Sequence, residues 1–346
     1  MQLAPRGPER SGTTEPHLRR GDLGPAVNDL QQRLDRLGHP CAPDPPGSFG
    51  PATAAALEAF ERSAGLDPDE RVGSTTWQAL VEAGYHLGER QLYLRSPMTR
   101  GDDVADLQRR LGALGFDAGR VDGIFGPDTA RALSDFQRNS GLVGDGIFGP
   151  DTVAALARLG LGRTDAVNVA HVRELERLRE TPRGLKGRRA AIGEPGGLGA
   201  LASAIAHDLR ERDVTVAVLE HPDWSAQARE ANAFGADVYL GLRLQFTRGH
   251  RVGYFRTTGF ESSGGRRLAE LLTVELTSAL ACEGFGPCGL RLPVLRETRM
   301  PAVLCEAGTP ADVVGATSHV ARAIVDGVQR WAAEPLPSGF SAAQVP

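Results

Sequence analysis

Apolar positions in the first half of the chain recur three and four residues apart in short blocks. Ala56, Leu57 and Phe60 form one block, Ala132, Leu133 and Phe136 another, and a third runs from about Val104 to Leu114. That period predicts amphipathic helices rather than strands. From residue 185 onward the pattern changes, and short apolar runs alternate with longer helical stretches. Strands are predicted at 189–193, 214–219, 237–244, 252–256 and 302–306, with helices at 199–212, 225–234, 262–282 and 313–331. In the last helix Val320, Ile324, Val328 and Trp331 make an apolar stripe. The expected fold is therefore multidomain, with small all-α three-helix bundles followed by an α/β domain, and 346 residues are enough for each to bury its own core.

Composition narrows the function. The net charge is -4 and charged residues make up 24%, so the basic footprint of a nucleic-acid binder is missing and no nucleic-acid partner is expected. Residues 1–18 contain no apolar signal-like core, and no stretch reaches the length of a transmembrane segment, which places the chain in the cytoplasm as an expectation. The four cysteines, Cys41, Cys282, Cys288 and Cys305, lack close CxxC spacing and read as reduced, largely buried thiols. Lys186 is the sole lysine, so any lysine-dependent chemistry has a single candidate.

The sequence also matches itself at an offset of about 76 residues. Gly47 to Thr53 with Ala56, Leu57 and Phe60 aligns with Gly123 to Thr129 with Ala132, Leu133 and Phe136. Upstream, Arg20-Gly21-Asp22 and Leu30-Gln31 align with Arg100-Gly101-Asp102 and Leu107-Gln108 after a short insertion in the first copy. Inside the second copy the octapeptide Asp-Gly-Ile-Phe-Gly-Pro-Asp-Thr occurs at Asp122 to Thr129 and again at Asp145 to Thr152, each time opening a helix with a proline in its first turn. The expected organisation is an unstructured 1–17, repeat 1 at 18–84, a connector at 85–96, repeat 2 at 97–160, a linker at 161–184, the α/β domain at 185–334 and an unstructured tail at 335–346.

This repeated pattern resembles the type 1 peptidoglycan-binding domain. The resemblance implies a peptidoglycan fragment or lipid-linked precursor as partner, with Asp122, Phe125, Asp128, Thr129, Asp145, Phe148, Asp151 and Thr152 as candidate binding residues. The first copy departs from the pattern around Asp44 to Gly47 and at Glu61, which replaces a glutamine. Every repeated position also caps a helix or fills a core, so a scaffold role stands beside the glycan-binding one.

Two readings compete for the α/β domain. Gly193, Gly197 and Gly199 between a strand and a helix, with Glu220 after the next strand, fit a dinucleotide-binding fingerprint and a nucleotide-binding α/β protein. The second reading starts from Ala231 to Arg243, Val252 to Phe255 and Leu295 to Gly308, which resemble, in order, the zinc-dependent N-acetylmuramoyl-L-alanine amidase domain. That family holds zinc with two histidines and a glutamate and uses a second glutamate as general base. Carried over residue by residue, Glu306 takes the general-base position. Arg243 stands where one zinc histidine belongs, and Gly197 where the other does. Glu194 matches either the zinc glutamate or the aspartate of the first loop. Arginine offers no lone pair and glycine no side chain, so the expectation is an inactive fold without a metal or other cofactor, zinc entering only if the chain is an active amidase. His250 and His221, read as exposed loop residues, are the candidates for a substitute ligand. Arg243 is the expected partner of Glu306.

The whole architecture resembles the CwlM-type proteins of actinobacteria. That resemblance implies an amidase-derived regulator of cell-wall precursor synthesis, with a cytoplasmic enzyme of peptidoglycan synthesis as a further partner. Ser338 and Ser341 are the tail positions open to phosphorylation.

Overall fold

Residues 18–66, 68, 71–159, 169–244, 249–257, 260–282 and 284–336 are described by the computed structural model. The segments expected to be unstructured, 1–17 and most of 335–346, lie outside the described residues, as do Ser338, Ser341 and linker residues 160–168. The chain divides into two compact units, one drawn from Met1–Arg62 and Pro68–Val81, the other from Ser63–Asp67 and Glu82–Pro346.

The first unit carries helices α1 (Pro25–Arg36), α2 (Pro51–Ser63) and α3 (Ser74–Ala83), with a two-residue antiparallel ladder between β1 (Leu18–Arg19) and β2 (Arg71–Val72). A buried side chain on α1 organises it. Gln31 donates its amide to the carbonyls of Pro45 (3.2 Å) and Ser48 (3.0 Å) and to Thr53 Oγ1 (3.0 Å), and accepts the Gly47 N–H (2.8 Å). One amide thereby fixes the turn that leads into α2, which matters because buried backbone groups must find partners. Glu61, buried on α2, accepts a hydrogen bond from Thr76 Oγ1 (2.9 Å) at the start of α3.

The second unit opens with the second repeat, α4 (Asp102–Ala113), α5 (Pro127–Asn139) and α6 (Pro150–Arg158). The same device appears twice. Gln108 donates to Asp122 Oδ1 (2.8 Å), the Ile124 carbonyl (3.1 Å) and Thr129 Oγ1 (3.1 Å), while accepting the N–H groups of Asp122 (3.1 Å) and Gly123 (2.9 Å). Gln137, one helix later, donates to Asp145 Oδ1 (2.8 Å), the Ile147 carbonyl (3.0 Å) and Thr152 Oγ1 (3.1 Å), and accepts the Gly146 N–H (2.8 Å). Gly123 and Gly146 adopt φ of 72° and 70°, a region that explains the Asp-Gly pair opening each octapeptide. The stretch read as a connector is part of this repeat's core: Leu92 is fully buried and exchanges backbone hydrogen bonds with Phe148 (3.2 and 2.8 Å). Arg90 grips Asp103 with two hydrogen bonds (2.7 and 2.9 Å).

Helix α7 (Val169–Glu180) leads into the sheet domain, built from β3 (Arg189–Glu194), α8 (Gly199–Arg210), β4 (Thr215–Glu220), α9 (Trp224–Phe234), β5 (Val238–Arg243), β6 (His250–Thr257), β7 (Phe260–Glu261), α10 (Ser263–Leu280), β8 (Gly284–Leu290), α11 (Pro293–Glu297), β9 (Ala302–Glu306) and α12 (Pro310–Ala333). The strands run in the order β4-β3-β5-β9-β6-β7, with β8 beside β6. The first four are mutually parallel, and β6 runs antiparallel to β9. Helices α8, α10 and α12 pack as one layer and α9 with α11 as another. The α12 stripe Val320, Ile324, Val328 and Trp331 is buried in the core, as its spacing requires.

The second repeat is fastened to the sheet domain through the segment around α11. Just ahead of that repeat, Glu82, the first residue of this stretch of the second unit, forms a buried ion pair with Arg296 (2.8 Å). Glu297 accepts from Arg100 (2.5 Å) and from Ser225 Oγ (3.1 Å), while Arg291 reaches Asp102 (2.8 Å). Arg120 donates to the Thr298 carbonyl.

Truncating a glutamine latch strands several buried polar groups at once. Gln108→Ala should lower the unfolding free energy by about 3 kcal/mol, measured by urea denaturation. Gln32→Ala, at an exposed position of α1, should change it by less than about 0.5 kcal/mol.

Candidate functional site

Strands β3, β5 and β9 are parallel and end at Glu194, Arg243 and Glu306, so their ladders deliver these residues to one rim of the sheet. Open α/β sheets hold ligands at this carboxyl rim. The β5–β9 register sets Arg243 opposite Glu306, and the β6–β9 register sets Arg251 opposite the same Glu306.

The side chains meet there. Arg243 donates Nε to Glu306 Oε1 (2.7 Å) and adds a second, shorter bond from Nη2, while Arg251 Nε donates to Oε2 (2.5 Å). The Glu306 side chain is 3% exposed and those of the two arginines 26% and 25%. Each carboxylate oxygen is thus held by its own guanidinium in the strong, charge-assisted class of hydrogen bond. Two guanidiniums thus face one carboxylate. Arg251 was not anticipated from the sequence, because a charged residue opening an apolar strand carries no sign of what it faces until the register is known.

The other predicted rim residues do not join this cluster. Glu194 is buried, and its Oε2 accepts the N–H groups of Gly196 (2.8 Å) and Leu198 (2.9 Å), closing the loop that enters α8. Gly197 is exposed in that loop at φ +90°, with no atom within 4 Å of where a Cβ would stand. The amides that a dinucleotide fingerprint would offer to a phosphate are therefore occupied by the chain's own carboxylate. Gly193 has a packing role: a Cβ there would come within 2.0 Å of both Gln227 Oε1 and Tyr239 Oη.

His250 corrects an expectation. It is fully buried at the start of β6, not exposed in a loop. Its ring meets the Thr273 carbonyl (3.2 Å), Thr277 Oγ1 (3.1 Å) and Cys282 Sγ (3.7 Å) beneath α10. The strand begins two residues earlier than its apolar run suggests, so the histidine enters the core. His221 is half-buried, and its Nδ1 accepts the Asp223 N–H (2.9 Å).

The zinc centre of the amidase resemblance can now be tested against the donors present. Glu306 spends both oxygens on guanidiniums, Glu194 spends Oε2 on two loop amides, and Arg243 and Gly197 bring no donor. Among the described residues the one grouping of ligand-type side chains is His207, Asp208 and Glu211, on α8 and largely solvated. The rim residues do not fit a catalytic zinc ion, which needs three converging protein ligands. All four cysteines are free thiols, and burial, with Glu306 next to it, pushes Cys305 up to about 12.

In the second repeat, Asp122, Thr129, Asp145 and Thr152 are partners of the glutamine latches, and Phe125 and Phe148 lie in the core. Asp128 and Asp151 are exposed in the first turns of their helices. Among the described residues no helix is long and apolar enough to cross a membrane.

Residues 24–80 and 100–156 each match the family model of the peptidoglycan binding domain PG_binding_1. The N-acetylmuramoyl-L-alanine amidase CwlM of Mycobacterium tuberculosis is 33% identical over 333 residues, covering 84% of this chain and 81% of that protein. CwlL of Bacillus licheniformis, also an N-acetylmuramoyl-L-alanine amidase, is 33% identical over 158 residues, 40% of this chain and 44% of that protein. Among solved structures, the N-acetylmuramoyl-L-alanine amidase of Clostridium difficile 630 aligns with 42% of this chain and 97% of its own at 21% identity, with a TM-score of 0.37.

Glu306→Gln should cost about 3–5 kcal/mol in urea unfolding, because it leaves two part-buried guanidiniums without their counter-charge. Arg251→Met should cost less, since the Arg243 pair survives. A second effect concerns acid. Burial holds His250 below the ordinary imidazole value, with the Thr273 carbonyl pulling weakly the other way. The unfolded chain, at about 6.5, takes the proton first, so this contribution is whole above that value and is lost as pH falls through it. Wild-type stability should therefore fall more steeply below about pH 6.5 than that of His250→Leu, as read from unfolding curves at each pH.

Proposed function

This chain belongs to the family of the N-acetylmuramoyl-L-alanine amidase CwlM, and from that membership we propose that it is a non-catalytic member, one that binds peptidoglycan or a precursor and regulates wall synthesis instead of cutting the polymer. The observation that carries this reading is the Arg243–Glu306–Arg251 cluster. Hydrolysis of an amide needs an activated water and a carboxylate free to take its proton. Glu306 occupies the general-base position by resemblance, yet neither oxygen is presented to a substrate: one faces Arg243, the other Arg251.

The two helical repeats support the binding half of the proposal through their match to the peptidoglycan binding domain. Binding requires side chains at the surface, so Asp128, Asp145 and Asp151, all exposed, are the motif positions available for contact, Asp145 being also tied to Gln137. An enzyme of peptidoglycan synthesis is the partner through which such a protein would regulate.

The test combines metal analysis, turnover and binding on the purified full chain. Zinc should stay below about a tenth of an equivalent after exposure to the free ion, and a muramoyl-L-alanyl peptide should be recovered intact with zinc present. Soluble muropeptide should bind saturably. Stoichiometric zinc together with cleavage that Glu306→Gln abolishes would establish a working amidase and refute the proposal.

A further inference from the structure

A cavity of about 220 Å³ lies at the end of the sheet opposite Glu306, where β3, β5 and β9 begin. Arg188, Asp237 and Pro301, the residues immediately before those strands, line it, and the second repeat contributes Arg120 and Asp128 from the other side. Five guanidiniums reach this space, those of Arg120, Arg173, Arg177, Arg188 and Arg299.

Their pairing is one-sided. Arg173 forms an ion pair with Asp117. Arg188 is buried, donates to the carbonyls of Gly184 (2.8 Å) and Pro182 (2.7 Å) and lies 5.3 Å from the ring centre of Trp331. Arg120 donates to the Thr298 carbonyl and lies 4.7 Å from the ring centre of Phe255 and 5.5 Å from that of Phe260. Among the described residues, Arg177 and Arg299 have no ion-pair partner, and both are exposed.

Four acids, Asp117, Asp128, Asp237 and Glu174, line the cavity beside the five guanidiniums. Asp117 serves Arg173, and Asp128 pairs with Arg131. Asp237 accepts the Arg189 N–H (2.8 Å). Glu174 accepts from Ser262 Oγ (2.6 Å) and from the backbone N–H groups of Ser263 (3.2 Å) and Gly264 (3.3 Å), capping α10. Desolvation pulls Arg120 below the usual guanidinium value, while Glu174 and Asp122 pull the other way and Arg177 adds to the lowering. The rest of the lining is apolar and includes Phe260, Met300 and Trp331.

We propose that this cavity is a binding site for a small organic phosphate, its phosphate held by the Arg120, Arg177 and Arg299 guanidiniums and its apolar body against Phe260 and Trp331. Guanidinium forks match phosphate oxygens in geometry, and few convergent polar groups over an apolar floor is the usual construction of a small-ligand site. The site is remote from the Glu306 rim and does not depend on whether that rim is catalytic. Because Arg120 belongs to the second repeat and the floor to the sheet domain, an occupant would also bind the two together.

Titration calorimetry on the full chain tests this with three probes: phenyl phosphate, inorganic phosphate and benzyl alcohol. Phenyl phosphate should bind one-to-one with a Kd below about 1 mM and more tightly than inorganic phosphate, while benzyl alcohol should give no saturable heat. Arg177→Glu and Arg299→Glu, at exposed positions, should keep the wild-type melting temperature and weaken phenyl phosphate at least tenfold. Arg229→Glu, on α9 outside the cavity, should leave affinity unchanged. The proposal fails if phenyl phosphate shows no saturation, if the distant substitution weakens it as much as the cavity ones, or if benzyl alcohol binds equally well.

Discussion

A single carboxylate, Glu306, holds together the rim on which any ligand of the sheet domain would sit. It ends β9 in the middle of the sheet, and its two oxygens are gripped from β5 on one side and β6 on the other. A buried acid needs this counter-charge, since isolated burial of an ionised group is prohibitive. The consequence for chemistry is immediate, because an acid held by two guanidiniums is no longer a free donor for a metal ion. The two guanidiniums supply the counter-charge that stabilises the carboxylate.

The motif that carries the amidase resemblance has acquired a second use. Leu295 to Thr298 precedes β9, and in this chain Glu297 and the Thr298 carbonyl are contact points for the second repeat, while Arg296 pairs with Glu82. The Arg296–Glu82 pair is 8% and 9% exposed, so neither partner can be lost without leaving a charge stranded. Asn232 on α9 braces the same segment by donating to the Glu297 carbonyl (2.8 Å) and accepting the Arg299 N–H (2.9 Å). The stretch read as a connector, the second repeat and the sheet domain fall in one compact unit, with Leu92 of the connector inside the repeat's core.

Much of this was legible in the amino-acid order. Helices α5, α6 and α12 and strands β3, β5 and β9 follow from apolar period and proline placement, and the Arg243–Glu306 pair follows from the family resemblance. Strand β8 was not legible: no element is predicted over Gly284 to Leu290, where two of the glycines stand against β6 side chains. A Cβ on Gly284 would meet His250 at 2.4 Å and one on Gly289 would meet Arg256 at 2.5 Å. Composition cannot reveal a glycine retained for a neighbour's bulk. Arg251 and His250 escaped for a related reason, since their partners, Glu306 and the α10 residues, are far away in sequence.

The repeats show why divergence of the motif need not mean loss of the fold. In the second repeat the Gln108 amide reaches the Asp122 side chain; in the first, where that aspartate is missing, Gln31 reaches the Pro45 carbonyl instead. Asp44, one position earlier, turns its carboxylate onto the Thr53 N–H (2.6 Å), and a Cβ at Gly50 would lie 2.4 Å from Asp44 Oδ1, so that glycine belongs to the substitute arrangement. Glu61 stands where Gln137 stands and still meets the hydroxyl of the next helix, Thr76 in place of Thr152. A helix-turn-helix of this size survives as long as each buried turn has one side chain to satisfy its backbone. The identity of that side chain is free to drift, and the surface positions, which the latches do not constrain, are where the two copies can come to recognise different ligands.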